Sequence, residues 1–126
     1  KQESFPGASD GDWLFYIGRS YNDRWLIDRQ LNGNVCEARI WDVARTQQEI
    51  WKNMYDIEDP ENEAHLAAYW KFNEGSSNDI KDYSKYHNDA HIVRYWKDFN
   101  SKEEYDVKNE ELWPSGIEVP QVNRED

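Results

Sequence analysis

Paired carboxylates are the first residues in this 126-residue chain with catalytic potential, because a glycosidase needs two of them roughly 5–10 Å apart. Asp56 and Glu58 lie two positions apart, but they precede Pro60 in a segment with the polar composition of a linker. Glu37 shares one face of a predicted strand with Arg39. A cross-strand salt bridge is the commoner use of such a glutamate. The sequence therefore favours a protein that is not an enzyme.

Metal ligation is the second chemistry that these residue types allow. Calcium takes six to eight oxygen ligands, and the polar segment 20–28 offers some of them from Asn22, Asp23 and Asp28. A calcium site is one interpretation of this segment, and a solvated turn is the other. Asp79, Asp82 and Asn88 form a second polar cluster that could supply calcium ligands, although an aspartate such as Asp82 more often accepts hydrogen bonds from the backbone amides of its own turn.

Aromatic side chains in predicted loops are the third group, since pyranose rings stack their CH faces on tryptophan and tyrosine. Tyr21 and Trp25 lie in a predicted loop, and Tyr95 and Trp96 follow a predicted strand. We expect these four to contact a sugar if the chain binds one, whereas burial in a core is the alternative for each ring. The three histidines do not have the spacing of a zinc site.

The composition limits the classes of partner. The net charge of −11 would repel phosphate backbones and anionic membranes, so we expect neither nucleic-acid nor membrane binding. No apolar run approaches the roughly 20 residues of a membrane span. Cys36 is the single cysteine, so an intrachain disulfide is excluded, and its alternation with Ala38 and Ile40 predicts a buried thiol.

Alternating apolar residues predict the strands that position these groups. Strands are expected over residues 12–18, 34–42 and 65–72, with Leu66, Ala68, Trp70 and Phe72 on one face of the third. Shorter extended pieces are expected at 79–84 and 88–93. Residues 102–111 predict a loop or a short helix, residues 112–120 an edge strand, and residues 121–126 a frayed tail.

One helix is expected among the strands. Thr46 and Glu49 form a capping-box pattern, and Ile50 and Met54 follow four positions apart. The pattern predicts a helix over residues 47–55.

Two sequence blocks resemble a known family. The first runs from Leu31 to Ile50 and the second from Leu66 to Gly75, followed by Asp82-Tyr-Ser and Asn88-Asp. The first block resembles one signature sequence of laminin-G-like and pentraxin-like jelly rolls of the concanavalin-A class, and the second block resembles the other. The matching positions in the first block are Gly33, Val35, Glu37, Ala38, Arg39, Ile40, Trp41, Thr46, Glu49 and Ile50.

The resemblance implies an all-β fold, an antiparallel jelly-roll β-sandwich with one short helix. It also implies that residues 1–120 are the C-terminal part of such a domain, which the remaining N-terminal half or another chain would complete. The segment with Asn22, Asp23 and Asp28 occupies the place where pentraxins carry calcium-binding acids.

The function that the resemblance implies is non-catalytic carbohydrate binding or glycan capture. The style of the sequence resembles surface lipoproteins of gut Bacteroidetes, so we expect an exported protein at a cell surface. Two alternatives stay open: a protein-interaction or adhesion scaffold without a sugar site, and an accessory domain of a glycoside hydrolase.

Overall fold

A computed structural model describes residues 15–18, 31–97 and 102–115 of the chain, without the side chains of residues 95–97 and 105. Strands outnumber helices in these ranges, in agreement with the predicted all-β class. The elements are β1 (Ala38–Trp41), α1 (Gln47–Lys52), a 3-10 turn (Pro60–Asn62), β2 (Leu66–Trp70), β3 (Asp79–Ile80), β4 (Ala90–His91), β5 (Tyr95–Lys97), β6 (Glu104–Asp106) and α2 (Asn109–Leu112). The strands pair as three antiparallel two-stranded sheets, β1 with β2, β3 with β4 and β5 with β6.

A β-bulge interrupts the pairing of β1 with β2. Ile40 lies opposite Ala68, but the next residue, Trp41, lies opposite Leu66, so Ala67 is an extra residue on β2. Side chains alternate between the two faces of a strand, and one extra residue reverses that alternation. Leu66 therefore shares a face with Tyr69 rather than with Ala68, and the prediction of one common face is wrong for Leu66.

Two apolar clusters lie on opposite faces of this sheet, and the bulge places Leu66 in the first. Ile57, Leu66 and Tyr69 are buried in the first, which Trp41 and Tyr83 border. Ala68, Trp70 and Ile80 are buried in the second, and its partly buried neighbours are Ala38, Ile40, Phe72, Ala90, Ile92 and Trp113. Trp41 packs against the first cluster and Trp70 is buried in the second.

Asp82 fixes the loop that covers the free edge of β2. Its side chain is fully buried. One carboxylate oxygen accepts from the backbone N–H groups of Tyr69 and Ser84, at 2.9 and 2.8 Å. The other accepts from the hydroxyl of Ser84 and the N–H of Asn88, both at 2.9 Å. The expectation that Asp82 accepts hydrogen bonds from turn amides is confirmed, and the bond from Tyr69 also ties the turn to β2.

Several local expectations are wrong. Residues 15–18 form no strand, because the chain turns at Gly18, whose φ is +86° and whose carbonyl accepts from Leu31 N–H. Cys36 is exposed rather than buried. The alternation that predicted its burial does not reach it, because Glu37 has a φ of 53° and the pairing begins only at Ala38.

The C-terminal part of the described chain also differs from expectation. Tyr95 and Trp96 lie in strand β5, and residues 104–106 form its partner β6, where a loop or helix was expected. Leu112 ends helix α2, so the described part of the predicted edge strand 112–120 is not a strand. Helix α1 begins where the capping box predicts and ends three residues early, at Lys52.

Candidate functional site

A cleft of about 290 Å³ lies between strand β1 and helix α1, and we call it the α1 cleft. It opens on the face of the β1–β2 sheet that carries Tyr69, because Trp41 both lines the cleft and packs against the Tyr69 cluster. The residues around it come from the end of the first sequence block and from the helix: Glu37, Arg39, Trp41, Arg45, Glu49, Ile50, Asn53 and Met54.

Helix α1 forms one wall of the cleft and is stabilised by a capping box at its N-terminus. The hydroxyl of Thr46 accepts from Glu49 N–H, and the Glu49 carboxylate accepts from Thr46 N–H at 2.8 Å. The hydrogen bond from Thr46 N–H has the largest effect on the Glu49 carboxylate and lowers its pKa, and the bond with the Thr46 side chain adds to this. The cap stabilises the start of the helix, and no residue of α1 is buried in the core.

Three apolar side chains on α1 and just beyond its end are exposed. The exposed fractions are 52% for Ile50, 57% for Trp51 and 39% for Met54. Ile50 lies on the helix and Met54 lies two residues beyond its end, and both line the cleft. Neighbouring exposed apolar side chains of this kind mark contact surfaces more often than isolated ones do.

Two arginines form the opposite wall. The guanidinium of Arg45 lies 3.8 Å from the ring centroid of Trp41 and donates to the Asn53 side-chain oxygen at 2.9 Å. The guanidinium of Arg39 pairs with Glu37 at 2.7 Å. Because Trp41 is covered by Arg45 on one side and packs against the core cluster, its ring is not free to stack on a sugar.

The charges of the cleft lining balance. Arg39 and Arg45 offset Glu37 and Glu49, which gives a formal sum of zero in a chain of net charge −11. The cleft is therefore suited to an uncharged or apolar group.

Glu37 is held by a second contact from beneath the cleft. The hydroxyl of the buried Tyr69 donates a short hydrogen bond to the Glu37 carboxylate. Burial, together with this hydrogen bond, raises the pKa of Tyr69 well above its usual value. Glu37 thus makes an ion pair with a residue two positions along the chain and a hydrogen bond to β2, whereas the sequence predicted a cross-strand salt bridge. With both contacts it acts as a structural residue.

The second polar cluster predicted from sequence is structural as well. Burial alone would raise the pKa of Asp82, but hydrogen bonds from Ser84, Tyr69 and Asn88 outweigh it and lower the pKa. Both oxygens of this carboxylate already accept two hydrogen bonds each. A cation would have to displace those donors, so Asp82 is poorly suited to be a metal ligand.

Each histidine lies beside a carboxylate of another segment. His65 lies 2.7 Å from Asp42, His91 lies 3.0 Å from Asp79, and His87 lies 3.2 Å from Glu61. Throughout the described ranges, no group of three or more His, Cys, Asp or Glu side chains is arranged to hold a metal ion.

Five of the predicted ligand-binding and metal-binding residues fall on a part of the chain that the structure does not describe. Tyr21, Trp25, Asn22, Asp23 and Asp28 lie outside the described residues. A calcium site and a sugar contact there stay predictions.

Tyr95 and Trp96 belong to strand β5, and the structure describes only their backbone. Sequence reasoning missed the cleft because Arg45 and Asn53 come together only through the turn between β1 and α1. The available signal was the capping-box helix with apolar residues directly after the Trp41 strand.

None of the helices in the described residues has the length and hydropathy needed to cross a bilayer. Comparisons with protein-family models, with curated proteins and with solved structures found no match for this chain.

Proposed function

We propose that this chain is a non-catalytic binding module that uses the α1 cleft to hold an apolar side chain of another protein. The observation that carries the proposal is the exposure of Ile50 and Met54 beside an open, charge-balanced cleft. A protein partner would remove these side chains from water, at roughly 25 cal/mol per Å² of apolar surface. This is the protein-interaction reading that the sequence left open.

The acids that the structure places in well-defined surroundings support a role without catalysis. Asp82 accepts four hydrogen bonds, and Glu37 is held between Arg39 and Tyr69. Carboxylates held in this way satisfy the hydrogen-bonding groups of the fold.

Glycan capture is the second candidate function. The planar polar groups of Arg45, Asn53 and Glu49 at the cleft favour it, because such groups form hydrogen bonds with hydroxyls. Trp51, which follows the cleft residue Ile50, has an exposed ring that could stack on a sugar.

We further propose that the described sheets belong to a jelly-roll β-sandwich of the laminin-G-like class in an exported protein. The pairing of β1 with β2 supports this fold, because these strands carry the two sequence blocks that resemble the family.

A peptide library and a glycan array, both screened with the whole chain, test the proposal. We expect selected peptides to lose binding to an Ile50→Asp variant and to keep it with a Val93→Asp variant. Val93 is the matched control because it is similarly exposed, at 49%, and does not line the cleft. Binding of glycans alone, or peptide binding that Ile50→Asp leaves unchanged, would contradict a protein-binding α1 cleft.

A further inference from the structure

A strongly acidic segment borders the α1 cleft. Residues 56–63, the acidic segment, read Asp-Ile-Glu-Asp-Pro-Glu-Asn-Glu, with five acids and no lysine or arginine. The acidic segment thus contributes a formal charge of −5 to the net charge of −11 of the chain. The carboxylates of Asp56 and Glu61 are 66% and 63% exposed. The potential over this segment is therefore strongly negative.

The acidic segment and the α1 cleft lie on the same side of the β1–β2 sheet. Ile57 anchors the segment in the cluster of Leu66 and Tyr69, and Trp41 of the cleft packs against that same cluster. Asp56 follows Met54 by two residues, so their Cα atoms are at most about 7 Å apart. One bound segment can therefore touch both features.

Local cations offset only part of the acidic charge. Lys71 lies 3.4 Å from Asp56, and His87 lies 3.2 Å from Glu61. With Lys71 counted, the segment still keeps a surplus of four negative charges when His87 is neutral. A partner that approaches this side of the molecule thus contacts the charge-balanced α1 cleft and, beside it, the acidic segment.

We propose that the occupant of the α1 cleft is a lysine- or arginine-rich protein segment that carries an apolar anchor residue. The anchor lies in the cleft against Ile50 and Met54, and the basic side chains face the acidic segment. This inference rests on the proposed protein-binding function and adds the charge of the partner. An acidic or neutral partner would gain no binding energy from the charge of the acidic segment.

Three synthetic peptides of equal length test the inference with the whole chain: lysines with two leucines, lysines with serines in place of the leucines, and glutamates with two leucines. Binding is measured by calorimetry at low and high salt. We expect the lysine–leucine peptide to bind at least about tenfold more tightly than the other two. Its affinity should fall by roughly tenfold from 0.05 to 0.5 M salt, because added ions screen exposed charges.

Matched variants separate the charge from the cleft. Glu58→Gln with Glu61→Gln removes two charges from the acidic segment, and Glu110→Gln with Glu111→Gln removes two from α2. We expect the first pair to weaken the lysine–leucine peptide severalfold and the second pair to leave its affinity unchanged. Equal effects of both pairs would mean that net charge alone attracts the peptide, and the acidic segment would lose its assigned role.

The remaining outcomes distinguish the two proposals. If the glutamate–leucine peptide binds as well as the lysine–leucine peptide, and Ile50→Asp abolishes both, the cleft binds protein but the basic-partner inference is overturned. If neither leucine peptide responds to Ile50→Asp, the proposed function itself fails. Equal binding of the two lysine peptides would refute the apolar anchor.

Discussion

Replacement of Asp82 by asparagine is the sharpest perturbation of the described fold. The carboxylate is buried and accepts four hydrogen bonds. An asparagine amide keeps one oxygen for the N–H groups of Tyr69 and Ser84, but it turns an NH₂ group toward the N–H of Asn88. Two donors then face each other beside a buried side chain.

The expected cost follows from these contacts. Hydrogen bonds to a charged group contribute about 1.5–3 kcal/mol each, and neutral ones about 0.5–1.5 kcal/mol. Two weakened bonds and one repulsive contact give an expected loss of about 2–4 kcal/mol in the free energy of unfolding. The Ser84 hydroxyl can rotate to accept from the new amide, which keeps the loss below that of four broken bonds.

The pH dependence gives an independent check. The pKa of Asp82 is lower in the folded chain than its ordinary value near 3.9 in an unfolded one. The stabilisation is therefore complete above the unfolded pKa and is lost as the pH falls through the folded pKa. Below about pH 4 the stability of the Asp82→Asn variant should thus decline less steeply than that of the parent chain.

Urea unfolding followed by tryptophan fluorescence measures both effects. Asp79→Asn is the control, because the Asp79 side chain is 79% exposed and pairs with His91 at the surface. We expect that control to cost no more than about 1 kcal/mol. Equal losses for the two variants at neutral pH, or parallel acid curves for Asp82→Asn and the parent, would refute the account of the buried carboxylate.

Three further predictions concern the helix cap, the buried tyrosine and the bulge. Thr46→Ala should lower stability by about 1 kcal/mol, with faster hydrogen exchange confined to α1, whereas Thr46→Ser should keep most of the cap; exchange that rises across β2 as well would contradict a local cap. Tyr69 should titrate only as the chain unfolds at alkaline pH, because its pKa is raised and an unfolded tyrosine ionises near pH 10. Stability should therefore fall above about pH 10, and Tyr69→Phe should lessen that fall. The difference in absorbance at 295 nm between the parent chain and Tyr69→Phe separates its titration from that of the other seven tyrosines. Deletion of Ala67 should cost less stability than Leu66→Ala, since the deletion removes only the extra residue and leaves Leu66 opposite Trp41 on the face of Tyr69; a greater loss for the deletion by urea unfolding would argue against the bulge.

The local features of the fold were predictable from sequence, because each depends on a few neighbouring residues. Thr46 and Glu49 marked the start of α1, and the alternation from Ala38 to Trp41 marked strand β1. Asp82 was recognisable as a residue that binds turn amides. Its bond to Tyr69 lay beyond prediction, since it joins residues 13 positions apart.

The bulge and the cleft were not predictable, because both depend on tertiary register. Nothing in Leu66-Ala-Ala-Tyr-Trp indicates that Ala67 is skipped by its partner strand, so the strand pattern placed Leu66 on the wrong face. The cleft needs Arg45 to fold back over Trp41, a contact that sequence spacing does not indicate. Residue types alone therefore directed attention to loop aromatics and acids rather than to this surface.

The bulge at Ala67 also has a mechanical consequence. Because β2 contributes Leu66 and Tyr69 to one apolar cluster and Ala68 and Trp70 to the other, a single short strand joins both. Neither cluster can loosen without displacing backbone that the other needs. The two halves of the core should consequently melt together, in one transition, even though a layer of backbone separates them.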